Sequence, residues 1–191
     1  MNAPDENEAA RAIERFLRAV GAPVDTDPEL AGTPARVADT FIHDVLRGYT
    51  MDPAEILRDT TASQTQGLVV VTDIAAVTMC PHHLMIASGR VHVGYVPTDR
   101  LVGLGALARL VDCFSRRFAL QEVLAQNVAH ALVTHLAAKA AGCVVDLIPT
   151  CLTARGDRRH DAHAITSAWS GEMVTNHALR TELLQTIATK R

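Results

Sequence analysis

The spacing of apolar and polar positions divides the chain into helical and extended stretches. Residues 8–20 place Ala9, Ile13, Phe16, Leu17 and Val20 on one helical face, and Gly21-Ala22-Pro23 stops that helix. Thr33-Pro34 reads as an N-cap followed by a first-turn proline. The helix it opens carries Val37, Phe41 and Val45 at four-residue spacing and closes at Gly48. Residues 50–66 are polar and read as a loop. From Leu68 the period shortens, and 68–71 and 74–79 read as two strands. Val91, Val93 and Tyr95 alternate with His92, Gly94 and Val96, the pattern of a half-buried strand. Helical spacing returns over 104–118 and 121–138. Residues 143–148, 150–154 and 164–169 read as strands, and 178–188 as a short amphipathic helix.

Strand runs flanking a helix pair predict an α+β fold with an antiparallel sheet rather than a doubly wound parallel one. No linker in the 191 residues is strong enough to force a domain boundary. Hydrophobic residues at 48% and charged residues at 20% are ordinary for a globular chain, which argues against a long disordered tail or a coiled coil. Aromatics make up only 4%, so Ala, Val and Leu must fill the core. No run of about 18 apolar residues is present, so no membrane partner is expected. The polar, acidic N-terminus does not read as a secretory signal, and a cytoplasmic location follows. A formal net charge of -3 argues against nucleic acid as a partner.

In a reducing compartment the four cysteines, at 80, 113, 143 and 151, are core fillers, metal ligands or nucleophiles. Cys113 and Cys143 fall at internal positions of a helix and a strand and read as core. Met79-Cys80-Pro81-His82-His83 sits where a strand ends, and the proline turns the chain. Cys80 and His83 have the two-residue gap that lets a thiolate and an imidazole reach one metal. Cys151, on a later strand, is the best candidate for a third ligand. Two thiolates and one imidazole would leave a fourth position for water, the catalytic arrangement of zinc. The alternative is that both cysteines are small buried hydrophobes and both histidines surface residues.

Val71-Thr72-Asp73-Ile74 leading into Met79-Cys80-Pro81-His82-His83 resembles GTP cyclohydrolase I. So do Gly89-Arg90-Val91-His92-Val93-Gly94-Tyr95-Val96-Pro97, Val102-Gly103-Leu104, Leu107-Ala108-Arg109 and Ser115-Arg116-Arg117. Gln121-Glu122, Cys151 with Arg155-Gly156, and Thr166-Ser167 continue the likeness, with Thr33 to Ala38 upstream and Leu179 to Leu184 in the tail. The resemblance implies a tunnelling fold: an antiparallel sheet with two helices on one face and an N-terminal helical part. It implies subunits that close into a barrel ring, two rings stacking as a homodecamer, and active sites between subunits. On this reading 1–66 is the N-terminal helical region and 67–191 the cyclohydrolase domain. The implied reaction is hydrolysis at C8 of guanine in GTP with zinc as cofactor, loss of formate, and closure to dihydroneopterin triphosphate for folate or pterin supply.

By the same resemblance Cys80, His83 and Cys151 are the zinc ligands and His82 is a catalytic proton donor beside purine N7. Gln121 and Glu122 read the guanine edge, and Arg36, Arg109 and Arg155 face the phosphates. Three positions depart from the family pattern. Pro149 stands where a second catalytic histidine is expected, Gly105-Ala106 where a Ser-Lys pair supplies a phosphate cation, and Pro81 where an acid precedes the histidines. The departures point to a divergent member that acts on a less phosphorylated guanine-type substrate, or stops at the ring-opened formamide. His160 or His163 could replace the lost imidazole, and Arg158 or Arg159 the lost cation; an exposed, solubilising turn is the other reading of that segment. A complete GTP cyclohydrolase I, another enzyme on the same fold, and a non-catalytic paralogue or regulator remain the alternatives.

Overall fold

The computed structural model describes residues 3–156 and 158–189; Met1 and Asn2 of the polar N-terminal stretch lie outside them. The chain forms two compact units, Met1–Arg47 and Gly48–Arg191.

The smaller unit contains α1 (Glu6–Ala19) and α2 (Thr33–Thr40). Asp5 caps α1 by accepting the Glu8 N–H at 2.9 Å, and Gly21 ends it at φ 81°, a left-handed conformation suited to glycine. Ala9 and Ile13 of its apolar face share a groove with Val37, Ala38 and Phe41. Phe16 and Val20, expected on the same inward face, are 60% and 61% exposed. The N-cap of α2 is Gly32 at φ 74°, which places Thr33 inside the helix rather than at its cap. The α-helix also stops short of Gly48: after Thr40 the backbone widens into a π-turn over Phe41–Val45.

The larger unit runs α3 (Pro53–Ile56), β1 (Thr60–Ala62), β2 (Val69–Met79), β3 (Ile86–Val96), β4 (Arg100–Val102), α4 (Leu104–Ser115), α5 (Gln121–His135), β5 (Ala140–Pro149), α6 (Thr150–Thr153), β6 (Ala164–Gly171) and α7 (His177–Ala188). Residues 50–66 are therefore not simply a loop. Asp52 caps α3 through the Ala54 N–H at 2.8 Å with Pro53 in the first turn, and β1 pairs with β4. Residues 48–66 belong to this compact unit, which begins at Gly48. The Arg117 guanidinium donates to the Gly48 carbonyl at 3.0 Å, the Gly48 N–H donates to Arg116, and Leu57 is buried in the main core.

The main sheet has the order β2-β3-β5-β6, and every pairing is antiparallel. Helices and antiparallel strands segregate as an α+β fold. The two strands expected at 68–71 and 74–79 are one strand, β2, interrupted by a bulge. Val71 pairs with Val93 and Ile74 with Val91, so Thr72 and Asp73 together oppose His92. Asp73 takes φ 61°, and its N–H turns from the ladder to donate to His92 Nδ1 at 3.2 Å.

Leu107, Leu110 and Val111 of α4 and Leu124, Val128 and Leu132 of α5 bury against Val91, Val93 and Tyr95 of β3 and Cys143, Val145 and Leu147 of β5. The opposite face was expected to be open along β3, yet every residue from Val91 to Val96 is buried. Val96, Ala140, Met173 and Leu183 form a second cluster there, closed by α7. Glycine makes this approach possible: a Cβ on Gly94 would stand 2.7 Å from Leu183 Cδ1, and one on Gly142 2.8 Å from Leu183 Cδ2. Arg180 holds the helix by stacking 5.6 Å over Trp169 and donating to the Met173 carbonyl. α5 ends at His135 rather than at residue 138, because Ala137 turns to φ 55°.

Truncating Leu183 to Ala should cost about 2–5 kcal/mol, the range for a buried leucine whose cavity cannot collapse. Denaturant unfolding followed by circular dichroism measures it, and a change below about 0.5 kcal/mol would show that α7 does not clamp this face.

Candidate metal centre and substrate cleft

Three chain segments meet at one end of the main sheet. β2 ends at Met79, and the turn that follows closes tightly: Cys80 N–H donates to the Met85 carbonyl and Leu84 N–H to the Cys80 carbonyl, both at 2.9 Å. Leu84 accepts φ 51° to complete it. β3 begins at Ile86 opposite Met79, and Ala87 pairs across to Pro149, the last residue of β5. The chain then coils instead of continuing as the strand expected over 150–154. The Thr150 hydroxyl donates to the Ile86 carbonyl and the Thr153 hydroxyl to the Pro149 carbonyl at 3.4 Å. Such local side-chain bonds draw threonine out of a ladder. Cys151 thus sits on the helical turn α6, beside the turn that carries Cys80 and His83.

Cys80, His83 and Cys151 offer donor atoms that all lie within 4.8 Å of one another. Two thiols and an imidazole are the donor types zinc takes, and a three-ligand set leaves a coordination position open. The residues fit the metal that the sequence reading expects.

The third segment brings the polar residues. Phe118 bridges to Met79, and the Ala119 N–H donates to the Met79 carbonyl at 3.2 Å, so α5 begins beside Cys80. Cys80, His82, Gln121, Glu122, Pro149 and Cys151 line one cleft of about 220 Å³. His82 is exposed and meets His83 edge-on, with ring centroids 6.3 Å apart. Glu122 lies exposed in the first turn of α5, where the helix dipole favours a carboxylate. Gln121 is tethered: its Nε2 donates to the Val145 carbonyl at 2.9 Å and the Ala164 carbonyl at 2.6 Å. Both amide hydrogens are engaged there, and Oε1 alone is left to accept.

The other expected site residues are not among those lining this cleft. Arg155 follows α6 and donates from Nη2 to His83 Nε2 at 2.6 Å. Arg109 is exposed on α4 and does not line the cleft. Arg36 belongs to the smaller unit, where it donates to the Ala31 carbonyl at 3.1 Å and Thr33 Oγ1 at 2.9 Å. Ala106 is 4% exposed and part of the main core, so no cation stands at that position. His163 does not line this cleft: its Nδ1 lies 3.0 Å from Asp146 Oδ1, a carboxylate that lines a different pocket with His92 and Leu184. His160 is exposed in the loop before β6 and does not line the cleft either. The Gln121 tether and the Arg155–His83 bond carry no sequence signal, because both join residues far apart in the chain through side-chain geometry.

Two thiols and an imidazole that could hold a metal thus stand at the end of an antiparallel sheet, beside a helix-borne acidic side chain. The family model for GTP cyclohydrolase I matches residues 9–188. GTP cyclohydrolase 1 of Ralstonia nicotianae is 38% identical over 92% of this chain and 84% of its own length. The enzyme of the same name from Nitrosospira multiformis is 38% identical over 94% and 96%, and that from Corynebacterium aurimucosum 39% identical over 96% and 93%. The chain belongs to the GTP cyclohydrolase I family, whose members are hydrolases acting on cyclic amidine bonds.

Two of the four thiols should react readily with a disulfide reagent such as DTNB in the native chain. Cys80 and Cys151 are partly exposed, whereas Cys113 and Cys143 are buried. Burial pushes the thiols of Cys113 and Cys143 up, at Cys113 against the opposing pull of Arg117. Mass mapping of the labelled peptides identifies the thiols, and fast labelling of Cys143 would contradict the burial of its side chain between sheet and helices.

Proposed function

We propose that this chain is a zinc-dependent hydrolase that opens the imidazole ring of a guanine-type purine and stops at the formamide. The observation that carries the reading is Pro149. It lines the cleft beside Cys151, where the family resemblance calls for a second titratable group, and proline can neither give nor take a proton. Among the described residues lining the cleft, His82 and Glu122 are the titratable groups other than the metal-ligand cysteines.

Cys80, His83 and Cys151 would hold the metal. Zinc in such a set supplies an activated water at neutral pH. Glu122 accepts from the N1–H and exocyclic amine of the purine, and Gln121 Oε1 adds a further acceptor. A site built of acceptors rejects adenine, which lacks the matching donors, by leaving its own polar groups unpaired. His82 gives a proton to N7 as the oxygen of water bonds to C8, and the proton lost from that water restores it. The C8–N9 bond then breaks, N9 takes the hydroxyl proton, and a formamide remains on N7. The product is one water heavier than the substrate. Loss of formate and rearrangement of the ribose need further proton transfers, for which position 149 offers no group.

The substrate is less phosphorylated than GTP on this reading. Buried Ala106 removes one charge-assisted phosphate contact, worth about 1.5–3 kcal/mol. The ring assembly of the family, with sites between subunits, belongs to the proposal, and β2 and β6 as the outer strands of the main sheet support it. A second reading, complete GTP cyclohydrolase I activity, is favoured by the identity of 38–39% to relatives carrying that name.

Incubating the zinc-loaded protein separately with GTP, GMP, guanosine and guanine distinguishes the two. Mass spectrometry should find a product heavier by one water, with no fluorescent pterin after oxidation. Neopterin triphosphate and formate from GTP would establish the second reading instead. His82→Ala should lower ring opening by about 10²–10⁴-fold, the usual size of a lost acid–base group. Pro149→His should let formate release appear.

A further inference from the structure

Adjacent carbonyls at the start of β3 hold the segments that carry the thiols of Cys80 and Cys151, and the inference they carry rests on the metal-centre reading above. The Met85 carbonyl accepts the Cys80 N–H at 2.9 Å, on the chain leaving β2. The Ile86 carbonyl accepts the Thr150 hydroxyl, on the chain leaving β5. The first bond is made by the backbone and is open to any residue but proline. The second is made by a side chain and depends on a hydroxyl at position 150.

The β3–β5 ladder closes with Ala87 opposite Pro149, so its next rung would pair Ile86 with Thr150. In a continued antiparallel ladder the backbone N–H of residue 150 would take the Ile86 carbonyl. Here the hydroxyl takes it instead, and the backbone of Thr150 is free to leave the sheet. The Thr150 carbonyl accepts the Ala154 N–H at 2.9 Å and so belongs to the turn α6. Thr150 thus joins the sheet by its side chain and the helical turn by its backbone, and Cys151 is the next residue.

We propose that Thr150 is a positioning residue for Cys151: its hydroxyl bond to Ile86 sets the separation of the Cys151 and Cys80 thiols, and through it the hold of the cluster on a thiolate-binding metal. The donor atoms of Cys80, His83 and Cys151 lie within 4.8 Å of one another. Zinc–thiolate bonds are about 2.3 Å long, so two thiolates on one ion tolerate little displacement. Without the hydroxyl, the Ile86 carbonyl is met only if the ladder gains a rung at residue 150. That rung unwinds the first residue of α6 and moves Cys151 off the turn.

Thr150→Val keeps the branched shape and removes the donor, Thr150→Ala removes it without favouring a strand, and Thr150→Ser keeps it. Each full chain, its fold checked by circular dichroism, is stripped of metal by a chelator and titrated with cobalt(II), whose charge-transfer band reports thiolate ligation. Thr150→Val and Thr150→Ala should bind cobalt about two- to tenfold more weakly than the unsubstituted chain, the range set by one hydrogen bond of ordinary net strength. Thr150→Ser should match the unsubstituted chain. Phenylarsine oxide, which bridges neighbouring thiols, should bind the metal-free chains in the same order, with its adduct mapped to Cys80 and Cys151 by mass spectrometry. A contribution to general stability alone would lower resistance to denaturant and leave both titrations of folded protein unchanged. Cobalt or arsenical affinities unchanged in Thr150→Val and Thr150→Ala overturn the proposal, as does a Thr150→Ser chain as weak as Thr150→Val. Absence of the thiolate band from the unsubstituted chain, with the arsenical order retained, overturns the metal-centre reading and leaves the positioning of Cys151 standing.

Discussion

The register of β3 against both of its neighbours is the constraint on which the site depends. Met79 opposite Ile86 fixes where the Cys80 turn begins, and Ala87 opposite Pro149 fixes where β5 stops and the Cys151 turn begins. A slip of one residue in either pairing would turn the side chains of that strand to the other face. It would also separate thiols that are remote from each other in sequence. The hydrophobic effect enforces the register. Val91, Val93 and Tyr95 must face α4 and α5, and Gly94 must face Leu183. The cluster of Cys80, His83 and Cys151 is thus positioned by core packing.

Labour at the cleft is divided between its walls. The Gln121 side chain satisfies two backbone carbonyls at the β5–β6 margin, which ties the first turn of α5 to the sheet and fixes where Glu122 stands. Leaving those carbonyls unpaired would cost about 1–3 kcal/mol each. One residue of the cleft therefore also ties its helix to the sheet. On the proposed function the acid–base chemistry falls to His82 on the exposed turn, while the β5 side of the cleft presents proline. An arrangement with chemistry on one wall suits a single addition and cleavage better than a sequence of proton transfers.

Much of this architecture was legible in the sequence. The helix pair and the antiparallel α+β plan followed from periodicity, and the meeting of Cys80, His83 and Cys151 from the Cys80–His83 spacing and the family resemblance. The misread elements have physical causes. Thr72-Asp73 looks like a gap between strands because polar residues interrupt an apolar run, yet a bulge carries the strand through. Thr150 and Thr153 look like strand formers because they are β-branched, but their hydroxyls bond backward to carbonyls and coil the chain. Residues 50–66 look unstructured because they are polar, whereas an Asp-Pro cap and pairing with β4 order some of them. The alternation along β3 announced one buried face and concealed the second, because its glycine gives no hint of the helix resting on it. His163 pairs with a carboxylate that no local pattern links to it.

The bulge at Asp73 has a consequence for assembly. β2 is an outer strand of the main sheet, and a flat outer strand is an open template on which any extended chain can add. Here the backbone at Asp73 turns to positive φ, and its N–H is given to His92 inside the sheet. A bulge sharpens the twist and breaks the regular row of donors and acceptors. An incoming strand must match that interruption or pair poorly along much of the edge. The feature that fits β2 to β3 thereby makes the free edge selective: it favours a strand of matching twist and resists indiscriminate aggregation.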